Sequence, residues 1–264
     1  MRIWEFQKSV MFPKISQLNF LQNKREEVQI VLKDGAVFVS DAHENGINRK
    51  SFASFLKKVD LGEINMPQLF LMGDMFDFLS GSVKHTLPFH EEELKLLDKI
   101  AQNIKVYYFE GNHDFNLNGI FKYVNVIPIE KQPFYVKSSN LTFALSHGDL
   151  YVGFFYGIYT KAIRNKSIIF ILNKLDFGGW ITKFVLKSQK DKKICRTIEN
   201  FEEKIIPKLK KYKNCDMVLE GHYHQNKTFT YNHIKYINFA SFACDKLFYR
   251  FENLQFTAFE FQNK

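Results

Sequence analysis

Cysteine is scarce in this chain: three in 264 residues, Cys195, Cys215 and Cys244. They are scattered, odd in number and form no CxxC pair, which argues against a disulfide framework and a zinc knuckle and fits a reducing compartment. Long apolar runs are missing too. MRIWEFQKSVMFPK lacks the continuous hydrophobic stretch of a secretory signal. The longest aliphatic and aromatic run between 151 and 193, Ile168 to Leu172, is far below the roughly 20 residues a membrane-spanning helix needs. The expected location is therefore cytoplasmic, with membrane contact at most peripheral. Repeats, low-complexity tracts and Pro- or Gly-rich linkers are absent, so one domain with an insertion is expected.

What is present is the composition of a folded protein, 45% hydrophobic and 25% charged, with 37 basic and 28 acidic residues and a net charge of +9. That excess favours an anionic partner such as a nucleotide, nucleic acid or acidic lipid surface, against the plain alternative of a lysine-rich solvated surface. Strands and helices alternate. AVFVS (36–40), QLFLM (68–72), KVYYFE (105–110), LTFALS (141–146) and DMVLE (216–220) are β-prone runs that end in the polar clusters DAHEN, GDMFD, GNHD, HGD and GHYH. SFASFLKKV and EEELKLLDKIAQ read as helices, and the spacing of Ile194, Ile198, Phe201, Ile205, Leu209 and Tyr212 predicts another. KTFTY, IKYINFASF, KLFYRF and LQFTAFEF read as successive strands.

The expected fold class is α/β, with a second, largely antiparallel sheet behind it and the polar loops gathered at the carboxyl ends of the strands. Residues 1–34 form an extension, in which VQIVL and AVFVS are expected to pair through a turn at Lys33-Asp34-Gly35.

The polar clusters carry the chemistry. Asp41 and His43 are two apart at a strand end, as are His222 and His224; in extended backbone such pairs project to one side and can grip one ion. Asp74 follows Gly73 and Asn112 follows Gly111, and glycine there permits a sharp turn and close backbone approach. With His147 the set is Asp41, His43, Asp74, Asn112, His147, His222 and His224: imidazoles, carboxylates and an amide without thiolate. Such donors suit two divalent ions such as manganese, iron, zinc or magnesium, a clamp for in-line displacement at phosphorus. His85, His90 and His233 read instead as packed or surface histidines, and Asp149 as a loop-capping aspartate.

DAH, GDMFD, GNHD, SHGD and GHYH, in that order over residues 41 to 224, resemble the signature blocks of the calcineurin-like metallophosphoesterases. The resemblance implies a double β-sandwich flanked by helices. It places Asp41, His43 and His224 on one ion, Asn112, His147 and His222 on the other, and Asp74 between them. It further implies that His113 stabilises the transition state or protonates the leaving oxygen, that Asp114 orients it, and that Asp77 supports a ligand from behind.

Residues 151 to 193 hold nine Lys or Arg against two Asp, so this insertion carries +7 of the chain's +9. It is also aromatic, with Phe154, Phe155, Tyr159 and Trp180 interspersed with Lys161, Arg164 and Lys166. Rings and aliphatics that enter a headgroup boundary, with cationic stems that snorkel to phosphates, make an interfacial helix pair, broken here at Gly178-Gly179. Core packing of these helices is the plain alternative, and single-stranded nucleic acid is disfavoured by the aliphatic content.

A basic, apolar helical insertion between the HGD and GHxH blocks resembles the lid of the UDP-2,3-diacylglucosamine pyrophosphatases of lipid A synthesis. These are peripheral membrane enzymes of the inner membrane, usually manganese-dependent, that release UMP and lipid X. The best-known group carries arginine where His113 stands and lacks the 34-residue extension. The alternative readings are a soluble phosphodiesterase or phosphatase acting on nucleotides, nucleic acid or phosphoproteins, and a non-catalytic scaffold of the same fold.

Overall fold

The computed structural model describes residues 30–46, 49–190 and 193–262. Its central strands form where short apolar runs are buried on both faces, and its edge strands are partly exposed. They are β1 Ala36–Val39, β2 Gln68–Leu71, β3 Leu79–Ser80, β4 Lys105–Phe109, β5 Asp114–Phe115, β6 Asn125–Ile127, β7 Phe134–Ser138, β8 Leu141–Ser146, β9 Met217–Glu220, β10 Lys227–Tyr231, β11 Ile234–Asn238, β12 Leu247–Glu252 and β13 Gln255–Glu260. The helices are α1 Ser51–Asp60, α2 Glu91–Ile100, α3 Phe154–Arg164, α4 Lys166–Leu175, α5 Trp180–Lys190, α6 Phe201–Leu209 and α7 Phe242–Asp245.

Two mixed sheets stack, ordered β13-β12-β1-β2-β4-β6 and β10-β11-β9-β8-β7, and β3 and β5 form a small ladder beside them. The period-2 alternation of side chains builds the layers. Val37, Val39, Leu69, Leu71, Val106 and Tyr108 face α1 and α2, whereas Phe38, Phe70, Tyr107 and Phe109 face Phe143, Leu145, Met217 and Leu219 of the second sheet. Ala144, Val218 and Tyr236 turn outward against Phe201, Ile205 and Leu209 of α6. The result is a helix–sheet–sheet–helix sandwich. Where the sheets meet, Phe38, Phe70 and Tyr107 stack in a row, with centroid separations of 4.6 and 4.8 Å.

The five expected strands are β1, β2, β4, β8 and β9, but they divide between the sheets, three in the first and two in the second. The C-terminal strands also divide. β10 and β11 join the second sheet, where β11 runs parallel to β9, and β12 returns antiparallel to β1. The second sheet is thus mixed rather than largely antiparallel.

Four other expectations need correction. The turn at Asp34-Gly35 forms, but of VQIVL the described residues Ile30–Leu32 do not pair with β1: Ile30 and Leu32 exchange backbone hydrogen bonds with Lys137 on β7, extending the edge of the other sheet, and the rest of the run lies outside the described residues. The periodicity of 194–212 overshoots, because 193–198 is not helical and the helix spans only Phe201–Leu209. The insertion has three helices: besides the break at Gly178-Gly179, Asn165 stops α3 and caps α4, its side chain accepting from the Ser167 and Ile168 N–H groups at 2.9 and 3.1 Å. Finally, Cys195 and Cys244 form a disulfide across 49 residues, and only Cys215 is free. Sequence spacing could not show that pairing, because it joins the end of the insertion to α7.

Among the described residues no helix is long and apolar enough to cross a membrane. Phe70 is the middle ring of the inter-sheet stack and fully buried. Phe70→Ala is therefore expected to lower the unfolding free energy by about 3–5 kcal/mol in urea titration.

Candidate metal centre

All seven donors proposed from the sequence lie just beyond strand ends: Asp41 and His43 after β1, Asp74 after β2, Asn112 after β4, His147 after β8, and His222 and His224 after β9. The edge where the sheets meet brings them together in two groups. Asp41, His43 and His224 make one and Asp74, His147 and His222 the other, the donor atoms within each lying within 4.8 Å of one another. Asn112 Oδ1 is 3.4 Å from His147 Nε2. His222 and His224 thus serve different groups, contrary to the expectation that each i, i+2 pair grips one ion. The expectation assumed extended backbone, whereas Asp41, His43, Asp74, His222 and His224 all have left-handed φ, between 46° and 64°. Non-glycine residues rarely adopt it, and five together mark a strained, functional constellation.

Backbone carbonyls fix the imidazoles. His147 Nδ1–H donates to Met72 O at 3.0 Å and His224 Nδ1–H to Ile194 O at 3.0 Å, so each turns Nε2 toward the centre. His147 Nε2 is 3.3 Å from Asp74 Oδ2, and His224 Nε2 is 3.0 Å from Asp41 Oδ1. His43 is buried, and its Nε2 has no hydrogen-bond partner. Its Nδ1 approaches Asp77 Oδ1 at 3.3 Å without good hydrogen-bond geometry. Asp77 lies beside His43, held by Asn45 at 2.8 Å and Arg49 at 2.5 Å.

Glycine makes the crowding possible. A Cβ on Gly221 would land on the Asp41 carboxylate and the Ser40 hydroxyl, and one on Gly73, at φ +93°, would strike the His147 ring.

Charge follows the geometry. Burial pushes the Asp74 carboxyl up, but His147 and His113 outweigh it and hold it well below the usual range. Burial likewise opposes ionisation of Asp41, and His224 reverses the direction. On the other side of these pairs, Asp74 holds His147 well above its ordinary value despite burial. His222 is driven down to about 3 by burial and by His147. A buried carboxylate–imidazole cluster of this kind suits a cation that replaces shared protons. Imidazole, carboxylate and amide donors without sulfur, with a buried imidazole nitrogen unpartnered, fit divalent ions.

His113 lies beside the first group, its ring 5.1 Å from that of His43. Its Nδ1–H donates to Asp77 O at 2.8 Å. Asp114 does not orient it, contrary to expectation. The Asp114 carboxylate accepts from Asp74 N, Met75 N, Gly111 N and Tyr108 Oη at 2.6–3.0 Å, which fills its acceptor capacity and ties the Asp74 and Asn112 loops together. Burial and the neighbouring Asp74 charge raise it to about 7. Of the histidines set aside, His90 packs on Phe76 at 4.5 Å and is brought to about 4 by burial.

The donors open into a cavity of about 290 Å³ whose far wall is Lys193, Ile194, Arg196 and Ile198, in the segment leaving the insertion. In the insertion, Phe155, Phe177 and Trp180 are 84%, 78% and 60% exposed, and Tyr159, Lys161 and Lys166 are also exposed. The side chain of Phe154 lies outside the described residues. Arg164 alone of the expected lid cations turns inward, its Nη2 donating to Gly111 O at 2.9 Å and Asp149 Oδ2 at 3.1 Å. Sequence reasoning missed Gln132, whose Oε1 accepts from the His147 N–H at 2.8 Å, and Ser241, whose hydroxyl donates to Asp41 O at 2.8 Å. Neither sits in a motif, so no local signal marks them.

The family model described as calcineurin-like phosphoesterase matches residues 36–226. Among curated proteins the chain is similar to the UDP-2,3-diacylglucosamine hydrolase of Ralstonia nicotianae, 28% identical over 113 residues, but it spans only 42% of that relative and 42% of itself. It is similar over longer stretches to proteins of the same name from Psychromonas ingrahamii, 21% identical across 72% of this chain and 80% of the relative, and Aliivibrio fischeri, 22% across 74% and 83%. Among solved structures, the E. coli phosphoesterase YfcE aligns with a TM-score of 0.42 at 12% identity, covering 83% of this chain and 88% of that one. A match running from β1 through the last donor loop, on a sandwich that gathers those donors at one edge, makes the chain a member of the calcineurin-like phosphoesterase family, a metal-dependent phosphoester hydrolase.

Proposed function

We propose that this phosphoesterase hydrolyses the pyrophosphate of UDP-2,3-diacylglucosamine to UMP and 2,3-diacylglucosamine 1-phosphate, working at the cytoplasmic face of an anionic inner membrane. The observation that carries the reading is the position of the insertion: a basic helical lid with exposed aromatic rings is rooted at the rim of the donor cluster. A lipid-linked phosphoester needs that pairing of an apolar, cationic surface with a polar hydrolytic centre. The names of the similar proteins point the same way.

Asp41, His43 and His224 would hold one divalent ion, and Asn112, His147 and His222 the other, with Asp74 between them; manganese is the proposed metal. When bound, such a pair supplies positive charge to the attacked phosphoryl group and to the attacking water. The chain's own residues do the rest. His113, its Nδ1–H donating to Asp77 O, would stabilise the developing charge or protonate the leaving oxygen. Asp77 steadies His43, and Asp114 keeps the Asp74 and Asn112 loops in register. Exposed Phe155, Tyr159, Phe177 and Trp180 enter the headgroup boundary, and Lys161 and Lys166 meet lipid phosphates.

Purified protein with manganese is expected to release UMP from UDP-2,3-diacylglucosamine, and His113→Ala to lower turnover by about 10²–10⁴-fold. Activity on simple phosphodiesters without UMP release would refute the substrate and favour the soluble phosphodiesterase reading. Gly221→Ala, by displacing Asp41, is expected to reduce bound manganese below two per chain in elemental analysis with the fold retained by circular dichroism. In flotation with phosphatidylglycerol vesicles, replacing Phe155, Phe177 and Trp180 by Ser is expected to weaken binding by about tenfold or more. Binding unchanged by those replacements would remove the membrane role of this face.

A further inference from the structure

Three buried polar atoms on the lid side of the metal centre have no hydrogen-bond partner among the described residues: Asp149 Oδ1, Tyr156 Oη and Arg164 Nε. They come from the loop that carries His147 and from α3. Asp149 and Arg164 are already paired through their other atoms, at 3.1 Å, with side chains 1% and 10% exposed. Arg164 also holds Gly111 O at 2.9 Å, one residue before Asn112. The Tyr156 ring lies 6.1 Å from the ring of His222, and the phenol is within electrostatic reach of both Asp149 and Arg164. The trio therefore sits against the second group of metal donors.

A buried donor or acceptor without a partner costs about 1–3 kcal/mol, so three at one place are not a feature that packing alone selects. The neighbouring loops are well satisfied, Asp114 alone accepting four hydrogen bonds. The chemistry of the free atoms discriminates between ligands. A bare phosphate dianion would meet the Asp149 carboxylate, which repels it. A hydroxyl can give its proton to Asp149 Oδ1 and accept from Tyr156 Oη–H or Arg164 Nε–H. A phenol carries its proton at neutral pH, so Tyr156 Oη is a donor.

We propose that Asp149, Tyr156 and Arg164 form a subsite for a hydroxyl-bearing sugar, placed under α3 immediately beside the phosphoryl group at the metal centre. The assignment rests on the reading of the substrate as a lipid-linked sugar nucleotide, and it orients that substrate: sugar and acyl chains toward the lid, nucleotide toward the opposite wall. A site built to hydrogen-bond hydroxyls rejects ligands that lack them, because its polar groups are then left unpaired.

The test compares two substrates of the manganese-loaded enzyme, UDP-2,3-diacylglucosamine and bis(p-nitrophenyl) phosphate, which has no sugar. The ratio of their kcat/KM values is expected to fall about tenfold or more in Arg164→Ala and about fivefold in Tyr156→Phe, mainly through KM for the sugar nucleotide. Tyr156→Phe keeps the ring and removes one hydroxyl, so it reads the subsite even if Arg164→Ala does not fold. A ratio unchanged within about twofold in Tyr156→Phe, with equal losses on both substrates or none on either, overturns the subsite. If the wild-type enzyme cleaves only the diester, the substrate reading fails separately. Glucosamine 1-phosphate as a competitive inhibitor of diester hydrolysis then decides the subsite: a Ki that rises about fivefold in Tyr156→Phe supports it, and an unchanged Ki overturns it.

Discussion

Asp41 ties the two sheets together at the metal centre. It leaves β1 of the first sheet, yet its carboxylate accepts from the His222 N–H at 2.9 and 3.1 Å and pairs with His224 Nε2 at 3.0 Å, both beyond β9 of the second. Its own carbonyl accepts from the Ser241 hydroxyl at 2.8 Å. Asp74 makes the parallel connection, receiving the His113 N–H at 2.8 Å and facing His147 beyond β8. Two carboxylates therefore bridge the gap between layers that apolar side chains fill everywhere deeper in the sandwich. Donor geometry depends on the sheets keeping their stacking distance, which rings such as Phe38, Phe70 and Phe143 determine.

The cost of that arrangement is visible in the backbone. Five of the seven donors occupy left-handed φ, and glycines precede several where no side chain would fit. Conformations of this kind persist only when surrounding contacts over-determine them. Here those contacts include backbone carbonyls on the imidazoles and the four-fold hydrogen bonding of Asp114. Rigidity of the loops is supplied from behind, which leaves the donor atoms themselves free to face a cation.

Much of this was legible in the sequence, for a physical reason. Each donor is adjacent to a strand, so a run such as QLFLM followed by GDMFD announces both the element and the group it delivers. What could not be read was pairing between distant segments. The division of strands between two sheets, the attachment of Ile30–Leu32 to β7 and the bond between Cys195 and Cys244 all depend on tertiary neighbours. Local spacing also misled: i, i+2 logic assumed extended backbone, whereas these residues have left-handed φ, and His222 and His224 serve different groups while Asp41 and His43 share one. Arg164 read as one of many lid cations, and only the fold shows that it alone turns toward Gly111 and Asp149.

The disulfide gives the insertion two unlike roots. Its first helix departs from the His147 loop through Gly148 and Gly153, both at positive φ, and is held to the donor loops by the Arg164 hydrogen bonds to Gly111 O and Asp149 Oδ2. Its last segment is stitched covalently to α7, one residue from the Ile194 carbonyl that holds His224 and three from the Ser241 that holds Asp41. One root is thus held by hydrogen bonds that can be exchanged, and the other by a covalent bond at the wall of the donor cavity.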